Sequence, residues 1–244
     1  MGWPGVSERT PPEVAPALAI DSASPEAGVA VLRGDELVAE RQWTLETTFS
    51  LELLAAIDGV LADAGVTKDE LAAIVVAVGP GGYSGLRTGV ATAQGLALAL
   101  DLPLAGVSRL EAQAYPHLAP DRPVIAVHDP GRGQIAWAAY AQGRPAPEVV
   151  VAARIDSAER CVALAPPGAL WCGELTDELR AALDAALAAA GRAAEAEPPA
   201  DNSRRAADLV RLARLHDAYG DPAEVDVVYL RPPNITKPRA EAKP

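Results

Sequence analysis

The apolar run Ala73-Ile74-Val75-Val76-Ala77-Val78 passes without a break into Gly79-Pro80-Gly81-Gly82-Tyr83-Ser84-Gly85-Leu86-Arg87-Thr88-Gly89. An unalternated apolar run of this length fits a buried strand. The glycines after it allow positive dihedral angles and a sharp reversal, and a helix is predicted from about Leu86 to Leu100. Backbone N–H groups left open at such a helix start can cradle an anion. The spacing is neither GxGxxG nor GxxxxGK(S/T), and no lysine stands where a phosphate loop needs one. The other reading is packing: Gly85, Gly89, Ala91, Ala93, Gly95 and Ala97 keep the helix thin enough for a second helix to approach closely.

Around this strand, loop and helix the pattern is of an α/β protein. Ala17–Ile20, Gly28–Leu32 and Glu36–Trp43 read as strands separated by Ser24-Pro25 and Arg33-Gly34-Asp35, an antiparallel meander. Phe49, Leu53, Ile57 and Val60/Leu61 recur at helical spacing until Gly65. After a strand at Pro103–Val107 the order repeats loosely, with a helix near Ser108–His117, strands at Pro123–His128 and Gln134–Tyr140, and helices at Glu174–Ala190 and Ser203–Tyr219. Two lobes, 17–106 and 107–232, are expected. A proline-rich, disordered extension is expected at 1–16 and a flexible tail at 233–244.

Half of the 244 residues are apolar, enough for a sizeable core, and 33 acidic against 21 basic residues give a net charge of -12. That field repels a nucleic-acid backbone. Stretches such as Ile74–Val78 and Leu96–Leu100 fall far short of the roughly 20 residues of a membrane helix, and no charged-then-apolar leader opens the chain. No membrane partner and a cytoplasmic location are therefore expected. Cys161 and Cys172 match neither a redox pair nor a zinc site, and read as small buried residues.

The segment GPGGYSGLRTG, followed by Ala93-Gln94-Gly95-Leu96-Ala97, resembles the GPGS(F/Y)TGLRIG and A(Q/K)GLA hallmark of the TsaB (YeaZ) family. Leu18–Ala23 resembles its LAIDTA turn, Pro103–Ser108 its LPLxGVS strand, and Val227–Arg231 its terminal PxYLR. The resemblance covers about residues 17 to 232. It implies a two-lobed actin/sugar-kinase/Hsp70-like (ASKHA) fold, with a mixed five-stranded sheet and flanking helices in the N-terminal lobe and a smaller related C-terminal lobe. It also implies a non-catalytic subunit of the complex that makes threonylcarbamoyladenosine beside the anticodon of ANN-decoding tRNAs. The partner would be a TsaD-type transferase, paired through helices 49–64 and 86–100. Phe49, Leu53, Ile57, Tyr83, Arg87, Gly89, Val90, Ala93 and Ala97 would be at that contact. A TsaE-type ATPase would join the complex, the chain alone would be a homodimer or a monomer, and tRNA would be met only indirectly. Leucine at Gly89 or Ala93 is then expected to block pairing while the monomer stays folded.

In active members of the superfamily the acid after the first strand holds a metal-bound nucleotide. The resemblance places Asp21 there, Ser22 beside it, and Asp129 on the second phosphate side. Here the glycine after Asp21 is missing, and Pro130-Gly131 and Gln134 depart from the family's IDARxGEVY, so these positions read as vestigial. No cofactor is assigned to this chain; ATP or ADP and magnesium are left to the complex. His117, His128 and His216 lack the His-x-x-x-His spacing of a metal pair, and no metal site is expected. Ser84 has no GxSxG elbow and no nearby base, so no catalytic residue is named. The alternatives are an active phosphotransferase or ATPase, with Asp21 and Asp129 flanking magnesium, and a stand-alone homodimeric binding module.

Overall fold

In the computed structural model, residues 15–44 and 49–231 are described, with the side chains of residues 49 and 50 outside the description. The tail expected at 233–244, and all but the last two residues of the extension expected at 1–16, lie outside the described residues.

β1 (Pro16–Asp21), β2 (Glu26–Arg33) and β3 (Glu36–Thr44) form the antiparallel meander read from the sequence. α1 (Phe49–Ala64) ends at Gly65, whose φ of 61° gives the left-handed turn that glycine adopts without a Cβ clash. β4 (Ala73–Gly79), α2 (Tyr83–Leu100) and β5 (Leu104–Ser108) complete a five-stranded sheet of order β3-β2-β1-β4-β5, in which β1, β4 and β5 run parallel. Side-chain size alternates across this sheet. Leu18, Ile20, Ile74, Val76 and Val78 meet Leu53, Ile57, Val60, Val90, Ala93 and Ala97 of α1 and α2. On the opposite face lie the smaller Ala17, Ala19, Ala30, Ala73 and Ala77.

The second half repeats the plan. α3 (Arg109–Ala114) leads to β6 (Val124–His128), β7 (Ile135–Ala141), β8 (Glu148–Asp156), α4 (Ala158–Leu164), β9 (Leu170–Glu174) and α5 (Asp177–Ala189). Its four-stranded sheet, β8-β7-β6-β9, has the order of the first sheet without the last strand. In both, a meander is followed by a helix, a parallel inner-strand partner and another helix. β8, α4 and β9 are additions to the elements read from the sequence. α3 lies between the sheets, with Leu110 and Ala114 on Val124, Ala126, Ala138 and Tyr140, and Ala112 in the first sheet's cluster.

The last helix, α6 (Ala206–Leu215), falls within the sequence range assigned to the second lobe, yet Leu209, Leu212 and Ala213 cover the alanine face of the first sheet. The chain then stays with that sheet. Gly220 bridges Leu104, and Val228 N–H donates to Val78 O at 2.8 Å. α6 thus lies on the first sheet although it falls within the range 107–232, and it shares that alanine face with Ala112 of α3. No described helix is long and apolar enough to cross a membrane.

Candidate functional site

Asp21 ends β1 in the interior, 2% exposed. Both carboxylate oxygens are taken by this chain: Oδ1 accepts from Ala23 N–H at 3.0 Å, and Oδ2 from Arg204 Nε at 2.5 Å. Arg204 also donates through Nη1 to Glu174 Oε1 at 2.5 Å, and through Nη2 to Ser24 Oγ and Glu26 O, each at 3.0 Å. Arg109, 2% exposed, donates from Nη2 to the other Glu174 oxygen at 2.6 Å. Ser22 Oγ donates to Gly85 O at 2.8 Å.

The opposite charges in this cluster stabilise one another. Burial works against ionised Glu174, but Arg109 and Arg204 more than offset it and hold its pKa below the usual glutamate range. Burial likewise works against charged Arg204, and Asp21 and Glu174 reverse that. Arg109 is lowered to about 10 by burial, with Arg204 adding repulsion. Burial and then the two arginines push His128 down to about 2, so its imidazole is neutral.

Asp129 lies elsewhere. In the β6–β7 turn its Oδ1 accepts from Gly131 N–H at 2.6 Å, and it lines an open cleft of about 900 Å³ together with Pro80, Tyr83, Arg87, Arg132 and Tyr229. Asp21 and Glu174 line a separate cavity of about 170 Å³. The two acids expected to flank a nucleotide's magnesium thus face different spaces, and one of them already holds a guanidinium. Among the described residues no group of three His, Cys, Asp or Glu side chains could hold a metal ion. Cys161 and Cys172 are free and buried, and burial raises both thiol pKa values.

The glycine turn folds down onto this region. Gly82 N–H donates to Ala23 O at 2.9 Å, and a methyl group at Gly81 would stand 2.1 Å from the same oxygen. At Gly89 it would stand 2.0 Å from Ser22 Oγ. The glycines therefore let α2 sit on the β1–β2 turn. Tyr83 and Arg87 grip the C-terminal segment: the rings of Tyr83 and Tyr229 stack at 5.5 Å between centroids, Arg87 Cζ lies 4.4 Å from the Tyr83 centroid, and Arg87 Nε donates to Tyr229 Oη at 3.0 Å.

The residues expected to meet a partner divide accordingly. Leu53, Ile57, Gly89, Val90, Ala93 and Ala97 are buried against the chain's own sheet, which corrects their assignment to a contact surface. Tyr83 and Arg87 stay exposed on the rim of the large cleft, and the side chain of Phe49 lies outside the described residues. The outward face of the two helices is instead made by Leu51 (68% exposed), Leu54 (46%) and Leu98 (59%), with exposed Ala55, Ala91 and Gly95. The clue in the sequence is that α1 is apolar beyond the stripe needed to cover one sheet face.

The family described as TsaD: tRNA N6-adenosine threonylcarbamoyltransferase matches residues 45–208. The chain is 37% identical over 123 residues to the tRNA threonylcarbamoyladenosine biosynthesis protein TsaB of Bacillus subtilis, covering 50% of this chain and 54% of that protein. It is 33% identical over 148 residues to an uncharacterized protein of Mycobacterium tuberculosis, covering 59% and 69%. The matched stretch thus spans about half the length of the first of these relatives. Among solved structures, an uncharacterized Pseudomonas aeruginosa protein with similarity to peptidase YEAZ superposes with a TM-score of 0.70 at 23% identity, covering 89% of this chain and 100% of that one. Component A of the Acidaminococcus fermentans (R)-2-hydroxyglutaryl-CoA dehydratase gives 0.51 at 14% identity, covering 86% and 100%. At these identities the likeness concerns the fold, which is the two-lobed ASKHA architecture expected from the sequence.

Proposed function

The chain belongs to the tRNA N6-adenosine threonylcarbamoyltransferase (TsaD) family, on its TsaB (YeaZ) side, and from that premise we propose that it serves as the non-catalytic subunit of a complex making threonylcarbamoyladenosine in tRNA. It binds a TsaD-type transferase and supports that subunit's work on the adenosine beside the anticodon of ANN-decoding tRNAs.

The observation that carries this reading is the apolar outward face of α1 and α2, on which Leu51, Leu54 and Leu98 are exposed together with the small Ala91 and Gly95. Exposed leucines next to small residues on two neighbouring helices suit close packing by a second pair of helices, as two-helix faces do in four-helix contacts. Asp21 engaged by Arg204, and Asp129 facing another cavity, support a role without nucleotide chemistry of the chain's own. ATP or ADP and magnesium act elsewhere in the complex, which includes a TsaE-type ATPase. In the absence of the transferase the same face pairs two copies of this chain. With a net charge of -12 the chain meets tRNA only through its partner, in the cytoplasm.

The test is reconstitution. Purified TsaD-type, TsaE-type and adenylate-forming components, given tRNA, threonine, bicarbonate and ATP, are expected to modify tRNA when this chain is present and to lose that activity when it is left out. Equal modification without it overturns the reading.

A further inference from the structure

Arg204 connects the two sheets. Asp21 is the last residue of β1 in the first sheet, and Glu174 is the last residue of β9 in the second. One guanidinium reaches both, Nε on Asp21 and Nη1 on Glu174, while Nη2 closes on Ser24 Oγ and Glu26 O. Arg109, at the start of the helix wedged between the sheets, holds the second oxygen of Glu174. Two arginines and two carboxylates make the cluster neutral as a unit, and the side chains of Arg204 and Asp21 are each 3% exposed.

We propose that Arg204 is a built-in ligand of the space between the lobes: its guanidinium takes the carboxylates ending β1 and β9 and latches the two lobes in a single closed arrangement with no bound molecule. A planar fork of donors can satisfy two carboxylates at a fixed separation, which the compact ammonium of lysine cannot. Removing the fork leaves Glu174 with Arg109 alone and Asp21 with no cationic partner, so the two acids of opposite lobes repel and nothing ties them together. The latch is independent of the role proposed above, since it needs only this chain.

The experiment measures lobe separation by pulsed spin-label distances in the full chain. Labels go on Glu36→Cys in β3 and Glu148→Cys in β8, both exposed, and buried Cys161 and Cys172 are left unlabelled. The unsubstituted latch is expected to give one narrow distance distribution. Arg204→Ala is expected to broaden it and shift it to longer distances. Guanidinium chloride, entering through the cavity lined by Asp21 and Glu174, is expected to narrow it again, whereas sodium chloride at the same concentration does not. Glu174→Gln, which keeps shape and removes one charge, is expected to reproduce the broadening. A folded Arg204→Ala chain with the original distribution overturns the proposal. So does a broadening that guanidinium fails to reverse and Glu174→Gln fails to reproduce. Should Arg204→Ala not fold, Glu174→Gln decides alone: a broadened distribution supports the latch and an unchanged one overturns it.

Discussion

At Gly81 even one methyl group has no room. The nearest atom is Ala23 O at 2.1 Å, a backbone atom held by the Asp21–Ala23 turn and by Gly82 N–H, so it cannot swing aside as a side-chain tip would. Gly81→Ala is expected to cost about 1–3 kcal/mol, the range for overpacking a tight site. Chemical denaturation is the measurement, and a stability equal to the parent's would contradict the account. The glycine pattern was readable as a strand-to-helix turn, but its purpose was not. Open N–H groups and a thin helix both follow from the residue types, whereas the seats on Ala23 and Ser22 depend on β1 and α2 being adjacent. Arg204 was invisible for the same reason. It stands 183 residues from Asp21, in an Asn-Ser-Arg-Arg stretch with no motif, and only the return of the chain to the first sheet brings the two together.

For α1 and α2 the helical period fixed where the helices lie but not which face meets what. The stripe of Leu53, Ile57, Val60, Ala93 and Ala97 satisfies the sheet, so a second set of apolar residues is free for a partner. This reverses the expected effect of leucine at Gly89 or Ala93. Such a change drives a side chain into Ser22 or the sheet, and Ala93→Leu is expected to lose about 1–3 kcal/mol of stability. Leu54→Asp combined with Leu98→Asp, both on the outward face, is expected to change the denaturation midpoint by no more than the equivalent of about 0.5 kcal/mol per site. The same double variant is expected to abolish co-elution with the TsaD-type subunit in size-exclusion chromatography. Retained co-elution would remove α1 and α2 as the docking face. Two of the three elements that escaped sequence reading, β8 and α4, did so for separate physical reasons. β8 is an edge strand with neighbouring Val149 and Val150 both exposed, so no period of two marks it, and α4 has seven residues, about two turns.

Across the whole molecule, the repeated strand and helix order of the two sheets was legible, while their junction was not, because it is made by charges from β1, α3, β9 and the segment before α6. That junction gives the molecule an acid-sensitive term. Glu174 is held below its usual pKa because Arg109 and Arg204 outweigh its burial; Asp156 is lowered because Arg154 and Trp137 outweigh its burial; Glu195 is lowered first by its bond from Arg192. A carboxylate with a depressed folded pKa adds stability that is complete above its unfolded value, about 4.3 for glutamate and 3.9 for aspartate, and that disappears as pH falls through the folded value. Asp208 works the other way, since burial raises its pKa and protonation favours the folded state. Burial also holds His128 and His117 below the unfolded histidine value of about 6.5, so both resist the proton that the unfolded chain takes up; the urea midpoint is therefore expected to fall from about pH 6.5 downward and to steepen below about 4, where the depressed carboxylates are protonated. Glu174→Gln carries no proton at that position in either state, so it is expected to start from a lower midpoint at pH 7 and to lose less on acidification than the parent chain. Parallel curves for the two proteins would place the acid sensitivity in groups other than Glu174, and not at the ionic junction between the lobes.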